Sequence, residues 1–262
     1  MYTPETYVAL IELLHAEGYR FASFDERSTD DRKCVFLRHD IDYSPRWAAE
    51  FAALNSRSGV VGTFCFQLRS PLYNLAGRQT QDAIREIEAL GQHVALHFGF
   101  TEVPPFDDSA IAQLVVRDFQ IARSIVPTIK PWFSWHNPSV TPGLIERCFD
   151  IEIPGLMNLY SREFVQNTVY RSDSNWRFSL EEWRAIIGEG HPRLQLLFHP
   201  FQWMARGRDM REVLALAYAE LARAGHSEFA TNHVWKERQT VEMSEAVFSR
   251  LGALFGATED AN

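Results

Sequence analysis

Four short apolar runs of the sequence each end on a histidine or on an acidic cluster, and this pattern constrains the fold more than any other feature. The runs are Cys34–Asp42, Val94–His97, Trp132–His136 and Leu194–His199. If they are parallel strands of one sheet, their polar ends meet at one edge, where α/β proteins place their ligand sites. The pattern therefore predicts a polar site at the rim of an α/β protein and favours metal-assisted hydrolysis.

Strand-like and helical segments alternate along most of the chain. Strands are predicted at 34–39, 60–66, 93–97, 132–136, 155–160, 168–172 and 194–199. Helices are predicted at 44–58, 80–90, 108–125, 142–149, 161–166, 180–187, 208–224 and 239–255. This alternation is typical of βαβ units. We expect a distorted seven-stranded (β/α) barrel forming one domain over 1–262, with an open doubly wound sheet as the competing fold.

Composition narrows the possible partners and the compartment. The net charge of -8 is unfavourable for binding a nucleic acid or an anionic membrane surface. Cys34, Cys65 and Cys148 are odd in number and lie in apolar surroundings, so we expect buried, reduced thiols. The sequence shows neither a signal-peptide pattern nor an apolar span of about 20 residues. We therefore expect a cytoplasmic protein without a transmembrane segment, and the oligomeric state is left open.

Two aspartates at the end of the first run are candidates for the chemistry. Asp40 and Asp42 are two residues apart on a predicted strand, so their side chains leave the same face. One could bind a cation while the other acts as a base. The alternative is that Asp42 caps the following turn and Asp40 pairs with Arg38. His39 has the opposite parity and is interpreted as structural.

His93 and His97 have the spacing of a zinc-binding pair, but that spacing brings two imidazoles together only on a helix. On the predicted strand they are separated by about 13 Å, at about 3.3 Å per residue. His97, at the strand end, is the candidate metal ligand, and His93 is interpreted as structural.

His136 and His199 follow two other predicted strands. Pro138 favours an extended backbone at Asn137, which would hold His136 at the rim. His136 is a candidate third metal ligand, with a contact to Asp40 or a loop hydrogen bond as the alternatives. His199 lies beside apolar residues, where an imidazole can serve in acid–base catalysis.

Three further residues are candidates for substrate binding. Asp173 follows a predicted strand, and Trp176 and Trp203 could form the walls of a saccharide pocket. Packing in the core is the alternative for both tryptophans.

Taken in order, these motifs resemble the NodB-like polysaccharide deacetylases, carbohydrate esterase family four, and specifically the divergent branch whose first motif reads His-Asp-x-Asp. The resemblance covers roughly residues 34–203. It is carried by Leu37–Asp42, Gly59–Phe64, Gly91–His97, His136–Pro138, Asp173 with Trp176, and Leu196–His199. It implies a distorted (β/α) barrel with a divalent cation, usually zinc, that hydrolyses an N-acetyl or related amide on a sugar.

The resemblance also implies roles for individual residues. Asp40 corresponds to the general base, Asp42 and His97 to metal ligands, and His199 to the general acid. His136 stands where the family usually has the arginine of Arg-x-Pro, which helps set the state of the catalytic aspartate. The family's second metal histidine would fall at Thr101, so His136 or water is left to complete the site, and weak or absent metal binding is the other alternative.

The expected function is therefore metal-dependent deacetylation of a sugar, or of a soluble or lipid-linked sugar intermediate of surface-polysaccharide assembly such as an O-antigen precursor. A first alternative is a deformylase or another non-sugar amide hydrolase of the same fold. A second is a catalytically inactive carbohydrate-binding module. Zinc binding distinguishes an enzyme from such a module.

Overall fold

The computed structural model describes residues 2–26, 33–100 and 107–229. The chain divides into two compact units, Met1–Arg206 and Gly207–Asn262. The helix predicted at 239–255 and the position of Thr101 lie outside the described residues, and the single domain over 1–262 stays a prediction. Within the described ranges, no helix combines the length and the apolar character needed to cross a membrane.

Helices alternate with strands along the first unit. Its strands are β1 (Arg20–Phe21), β2 (Cys34–Ile41), β3 (Thr63–Phe66), β4 (His93–Phe98), β5 (Trp132–Trp135), β6 (Met157–Asn158), β7 (Val169–Ser172) and β8 (Arg193–Phe198). Its helices are α1 (Pro4–Ala16), α2 (Pro45–Arg57), α3 (Arg78–Ala89), α4 (Asp108–Ile125), α5 (Leu144–Asp150), α6 (Arg162–Val165), α7 (Leu180–Gly188) and α8 (Pro200–Met204). The second unit contains α9 (Met210–Phe229).

Several helices begin where an N-cap side chain predicts a start. The hydroxyls of Thr3, Ser44 and Ser179 accept hydrogen bonds from the backbone at the first turns of α1, α2 and α7. Thr3 and Ser44 are each followed by proline, whose missing N–H costs nothing at the first helical position. These N-caps determine the residues at which α1, α2 and α7 begin.

The strands pair in parallel in the order β6-β5-β4-β3-β2-β8-β7, and β1 pairs with the beginning of β2. The order follows the chain from β2 to β6, and β8 returns to lie beside β2, as in a barrel. Strands β6 and β7 are the two ends of this path, so the sheet curls into a half-barrel with a seam between them. This confirms the predicted distorted (β/α) barrel and excludes the doubly wound alternative.

The two faces of the curled sheet carry different residues because side chains alternate along each strand. The outer face packs against the helices in the larger apolar core, through residues such as Leu37, Phe64, Leu96, Phe133 and Phe198. The inner face holds a smaller apolar core, in which Cys34, Phe36, Cys65, Ala95 and Trp132 meet Phe24, Leu159 and Phe164. Nearer the carboxyl ends of the strands, polar side chains replace this apolar core on the inner face.

Cys34, Cys65 and Cys148 are buried, and none of the three forms a disulfide bond. The expectation of buried, reduced cysteines is confirmed.

His39 lies on the outer face and belongs to a buried polar network. The amide nitrogen of Asn55 lies 3.0 Å from His39 Nε2 and donates to Gln92 Oε1 at 3.1 Å. The same Gln92 oxygen accepts the backbone N–H of Gly62 at 2.8 Å. Burial lowers the pKa of His39 to about 3, so the ring is neutral. These contacts agree with a structural role for His39.

Gly62 packs so closely against this network that a larger residue cannot fit there without displacing it. A Cβ at position 62 would lie 2.6 Å from His39 Nε2 and 2.7 Å from Asn55 Nδ2. We expect Gly62→Ala to lower the free energy of unfolding by about 1–3 kcal/mol, because overpacking forces a buried side chain to move. Gly188→Ala is the matched control, since a Cβ there meets nothing within 4 Å. Denaturant titration of both variants measures the difference, and equal stabilities would contradict the prediction.

Candidate metal centre

The parallel register gathers the predicted site residues at one edge of the inner face. A row of register partners crosses β2, β3, β4 and β5 through Ile41, Phe66, Leu96 and Phe133. The residues one position further along are Asp42, Gln67, His97 and Ser134, which form the next row. His199 follows the end of β8, the other neighbour of β2. The carboxyl edge of the sheet is therefore the polar rim that the sequence predicts.

Asp42, His97 and His136 form a compact triangle of potential metal ligands. Asp42 Oδ1 lies 3.4 Å from His97 Nε2 and 3.1 Å from His136 Nδ1, and these two ring nitrogens are 3.1 Å apart. Four donors around zinc at bond lengths of about 2.0–2.1 Å form a tetrahedron with edges of about 3.3 Å. One carboxylate and two imidazoles are also donors that suit zinc. The donor types and spacing therefore fit a divalent metal, with His136 as the third ligand.

A hydrogen-bonded chain behind His97 orients its metal-facing nitrogen. His97 Nδ1 lies 2.7 Å from Ser134 Oγ, and this hydroxyl donates to Asp40 Oδ1 at 3.2 Å. With Ser134 donating to the carboxylate, its oxygen accepts the proton on His97 Nδ1. This tautomer leaves the lone pair of Nε2 facing Asp42 and His136, as a metal ligand requires.

Asp42 accepts a hydrogen bond from Gln67, whose own position is fixed by Tyr73. Gln67 donates its amide to Asp42 Oδ1 at 3.2 Å, and the backbone N–H of Gln67 donates to the Tyr73 hydroxyl at 2.7 Å. Burial alone would raise the pKa of Asp42, but its contacts with His136 and His97 hold the pKa well below the usual range. The carboxylate is therefore ionised, which is the form that binds a cation.

The backbone beside His136 differs from the sequence-based expectation. Asn137 adopts the left-handed conformation, with φ 48° and ψ 48°, and the expectation of an extended backbone before Pro138 is wrong. Asparagine tolerates this region better than most residues. The turn brings the Asn137 amide nitrogen within 3.0 Å of His136 Nε2 and leaves Nδ1 facing Asp42.

Asp40 lies beside the triangle and is almost fully buried. Arg38 Nε is 3.3 Å from Asp40 Oδ1, and His97 Nδ1 is 3.8 Å from Asp40 Oδ2. Burial alone would raise the pKa of Asp40, but Arg38 and then His97 hold it below the usual range. The pairing with Arg38 that the sequence offered as an alternative is thus present, and it coexists with a place at the rim.

His199 forms a buried pair with Asp173 on the other side of Asp42. His199 Nδ1 lies 2.6 Å from Asp173 Oδ1, and His199 Nε2 lies 3.7 Å from Asp42 Oδ2. The second oxygen of Asp173 accepts the His199 backbone N–H at 2.9 Å and the Trp203 indole N–H at 2.7 Å. Burial alone would lower the pKa of His199, but Asp173 raises it to about 9.

Two of the three predicted substrate-binding residues have partners inside the protein. Asp173 and Trp203 are fully buried, and their contact with substrate stays a prediction. Their hydrogen bonds fix the His199 ring. The Trp176 ring stacks on Tyr2 with centroids 4.1 Å apart, and its contact with substrate stays a prediction.

Sequence reasoning did not assign Ser134, Gln67 and Tyr73 to the site. Ser134 is two residues before His136, so strand parity alone places both on one face. Gln67 follows β3 directly and could have been found by the same rule that selected Asp42 and His97. Tyr73 offers no such signal, because its hydroxyl reaches Ile41 O and Gln67 N from a loop.

The fold and the rim together define a curled parallel α/β sheet with a candidate His/Asp metal centre at its carboxyl edge. Neither a family model nor a curated protein matches the sequence.

The chain is similar to several solved structures. The chitin deacetylase from the fungal pathogen Colletotrichum lindemuthianum has a TM-score of 0.43 and 13% identity, over 71% of this chain and 81% of that chain. IcaB from Ammonifex degensii has a TM-score of 0.42 and 14% identity, over 57% of this chain and 73% of that chain. A CE4 family pseudoenzyme from Bacillus anthracis has a TM-score of 0.40 and 14% identity, over 74% of this chain and 62% of that chain.

The His199–Asp173 pair makes stability depend on pH. In the metal-free protein we expect Asp173→Asn to lower the pKa of His199 from about 9, because burial is then opposed only by the smaller contributions of Asp42 and Asp40. A rise from about 6.5 to about 9 is worth about 3 kcal/mol of stability. This stability is present below pH 6.5 and is lost as the pH rises through 9.

NMR titration of the histidine rings and denaturant unfolding at pH 6 and pH 9.5 measure these two effects. The control is Glu189→Gln, which removes the carboxylate paired with the more exposed His191 and should change stability by less than about 1 kcal/mol. A destabilisation by Asp173→Asn that is as large at pH 9.5 as at pH 6 would contradict the linkage.

Proposed function

We propose that this protein is a metal-dependent hydrolase that removes an N-acetyl group from a saccharide. The observation that carries the proposal is the Asp42–His97–His136 triangle, with a second carboxylate, Asp40, 3.8 Å from His97 and a second imidazole, His199, 3.7 Å from Asp42. A metal centre flanked by a base and an acid is the arrangement that amide hydrolysis requires. The resemblance of the sequence motifs to the NodB-like deacetylases supports the same reaction.

In this proposal Asp42, His97 and His136 hold a divalent cation, for which the donor types favour zinc. A bound cation polarises the substrate carbonyl and lowers the pKa of water. Asp40 accepts the proton of the attacking water, since its carboxylate is kept ionised by Arg38. His199 donates a proton from Nε2 to the leaving amine while Asp173 holds the proton on Nδ1. The amide bond breaks, and acetate and the free amine leave.

The proposed substrate is a soluble or lipid-linked N-acetylated saccharide intermediate of surface-polysaccharide assembly, such as an O-antigen precursor, in the cytoplasm. The family resemblance and the expected compartment support this choice. An N-acetylated nucleotide sugar is a practical first probe, with acetate release as the readout. Release of formate from a formylated amine instead would favour the deformylase alternative, and saccharide binding without metal would favour a binding module.

The metal triangle predicts that the protein binds zinc and that its side chains set the affinity. We expect the protein to bind one zinc ion, and Asp42→Ala and His136→Ala to weaken binding by more than about 100-fold, because even residues that only orient a ligand contribute about 10–100-fold. His93→Ala is the matched control, since His93 lies at the opposite end of the strand that carries His97. Competition with a chromophoric chelator measures the affinities. Unchanged zinc affinity in His136→Ala would remove His136 from the ligand set.

The proposed role of His199 as the general acid predicts that its loss affects amide hydrolysis more than ester hydrolysis. We expect His199→Ala to lower hydrolysis of an N-acetyl amide by about 10²–10⁴-fold, the usual contribution of a positioned acid. Hydrolysis of a matched O-acetyl ester should fall less, because an alkoxide leaves more readily than an amine without protonation. The ratio of kcat values for the two substrates is the measurement, with zinc content checked in each sample. Undiminished amide hydrolysis would contradict the assignment.

A further inference from the structure

Arg38 is a fully buried cation on the inner face of the sheet. It lies on β2 two residues before Asp40, so both side chains leave the same face of the strand. Only 1% of its surface is exposed. Burying an arginine costs several kcal/mol unless counter-charges and acceptors surround it. The groups that contact the Arg38 guanidinium therefore indicate its role in the protein.

The guanidinium reaches from the catalytic carboxylate to the seam of the half-barrel. Its Nε lies 3.3 Å from Asp40 Oδ1 in an ion pair. Its terminal nitrogens donate to Leu159 O at 3.3 Å, just after β6, and to the Tyr170 hydroxyl at 3.4 Å, on β7. The rings of Tyr160 and Tyr170 lie 5.3 and 5.7 Å from its central carbon. Arg38 is thus braced by both strands that border the seam.

Among the ion pairs of the described residues, Asp40 is the one carboxylate within 4 Å of Arg38. The pair involves only one oxygen of Asp40, and Ser134 donates to that same oxygen. Oδ2 lies 3.8 Å from His97 Nδ1. The ion pair with Arg38 and the hydrogen bond from Ser134 both act on Oδ1 and therefore restrain the rotation of the carboxylate.

The position directly after β5 carries a histidine, not an arginine or a lysine that could orient Asp40. His136 occupies it, and its Nδ1 faces Asp42 and His97 in the metal triangle. A side chain that binds the metal cannot also hold Asp40 from behind. The charge that faces Asp40 comes from β2 itself.

We propose that Arg38 is the positioning residue of the general base: anchored at the seam between β6 and β7, it holds Asp40 Oδ1 and so fixes the orientation in which the carboxylate accepts a proton from the attacking water. This inference rests on the proposed function and adds a residue to it. In this arrangement β2 and the residue directly after it supply the base, a metal ligand and the cation that orients the base.

The test compares Arg38→Met and Arg38→Lys in the zinc-loaded protein. We expect Arg38→Met to lower kcat for N-acetyl hydrolysis by about 10²-fold or more, within the range of a misplaced catalytic group. KM and zinc content should change less than about threefold, and Arg38→Lys should recover at least tenfold of the lost kcat. Lysine restores the charge but not the planar contacts with the tyrosines.

Arg193→Met is the matched control. Arg193 also has its guanidinium against an inner-face ring, 5.4 Å from the Phe36 centroid, but it lies at the beginning of β8 and pairs with Glu163 at 3.4 Å. Its loss should affect stability and leave kcat within about twofold. Equal losses of kcat in Arg193→Met and Arg38→Met would show a general effect of packing and overturn the inference.

A double-mutant cycle with Asp40→Asn shows whether Arg38 acts through Asp40. Once the base is removed, Arg38→Met should lower kcat no further, because residues that act as a unit are non-additive. A full additional loss in the Asp40→Asn background would overturn the inference, as would an unchanged kcat in Arg38→Met alone. If the zinc-loaded wild-type protein hydrolyses no N-acetyl probe, the proposed function fails and this inference with it. If the wild type is active, the Arg38 results decide the inference alone.

Discussion

The convergence of one carboxylate and two imidazoles on a triangle with edges of 3.1–3.4 Å is the constraint on which the site depends. These donors come from β2, β4 and the turn after β5, which are far apart in sequence. Parallel pairing brings them to one level because the strands all run in the same direction and in fixed register. The outer apolar core, packed under the helices, holds that register.

Two buried charged residues near the metal triangle each have a partner of opposite charge. Asp40 is paired with Arg38, and His199 with Asp173, so the charges beside the metal triangle are compensated in pairs. Removing one member of such a pair leaves an uncompensated buried charge, which is strongly destabilising. Arg38 restrains Asp40 through Oδ1, and Asp173 holds Nδ1 of His199, whose Nε2 lies 3.7 Å from Asp42 Oδ2.

Strand parity predicted much of the site, and the limits of that prediction have physical causes. Asp40, Asp42, His97 and His199 were found because each ends an apolar run. The role of Trp203 was not found, because a tryptophan that packs in the core and one that lines a pocket have the same sequence context. Its indole N–H donates to Asp173 from the helix that follows His199, a contact that depends on how α8 packs. Strand β1, with two residues, and α8 are too short to show a periodic pattern.

The sequence by itself determined the alternation of strands and helices, the parallel half-barrel and the rim at which the histidines and aspartates gather, because hydrophobic periodicity and strand parity are local properties of the chain. Tertiary structure decided which side chains meet. His136 completes the metal triangle, Asp173 holds His199, and Arg38 spans from Asp40 to the seam. These contacts depend on the distance and angle between strands far apart in sequence, which only the packed sheet sets.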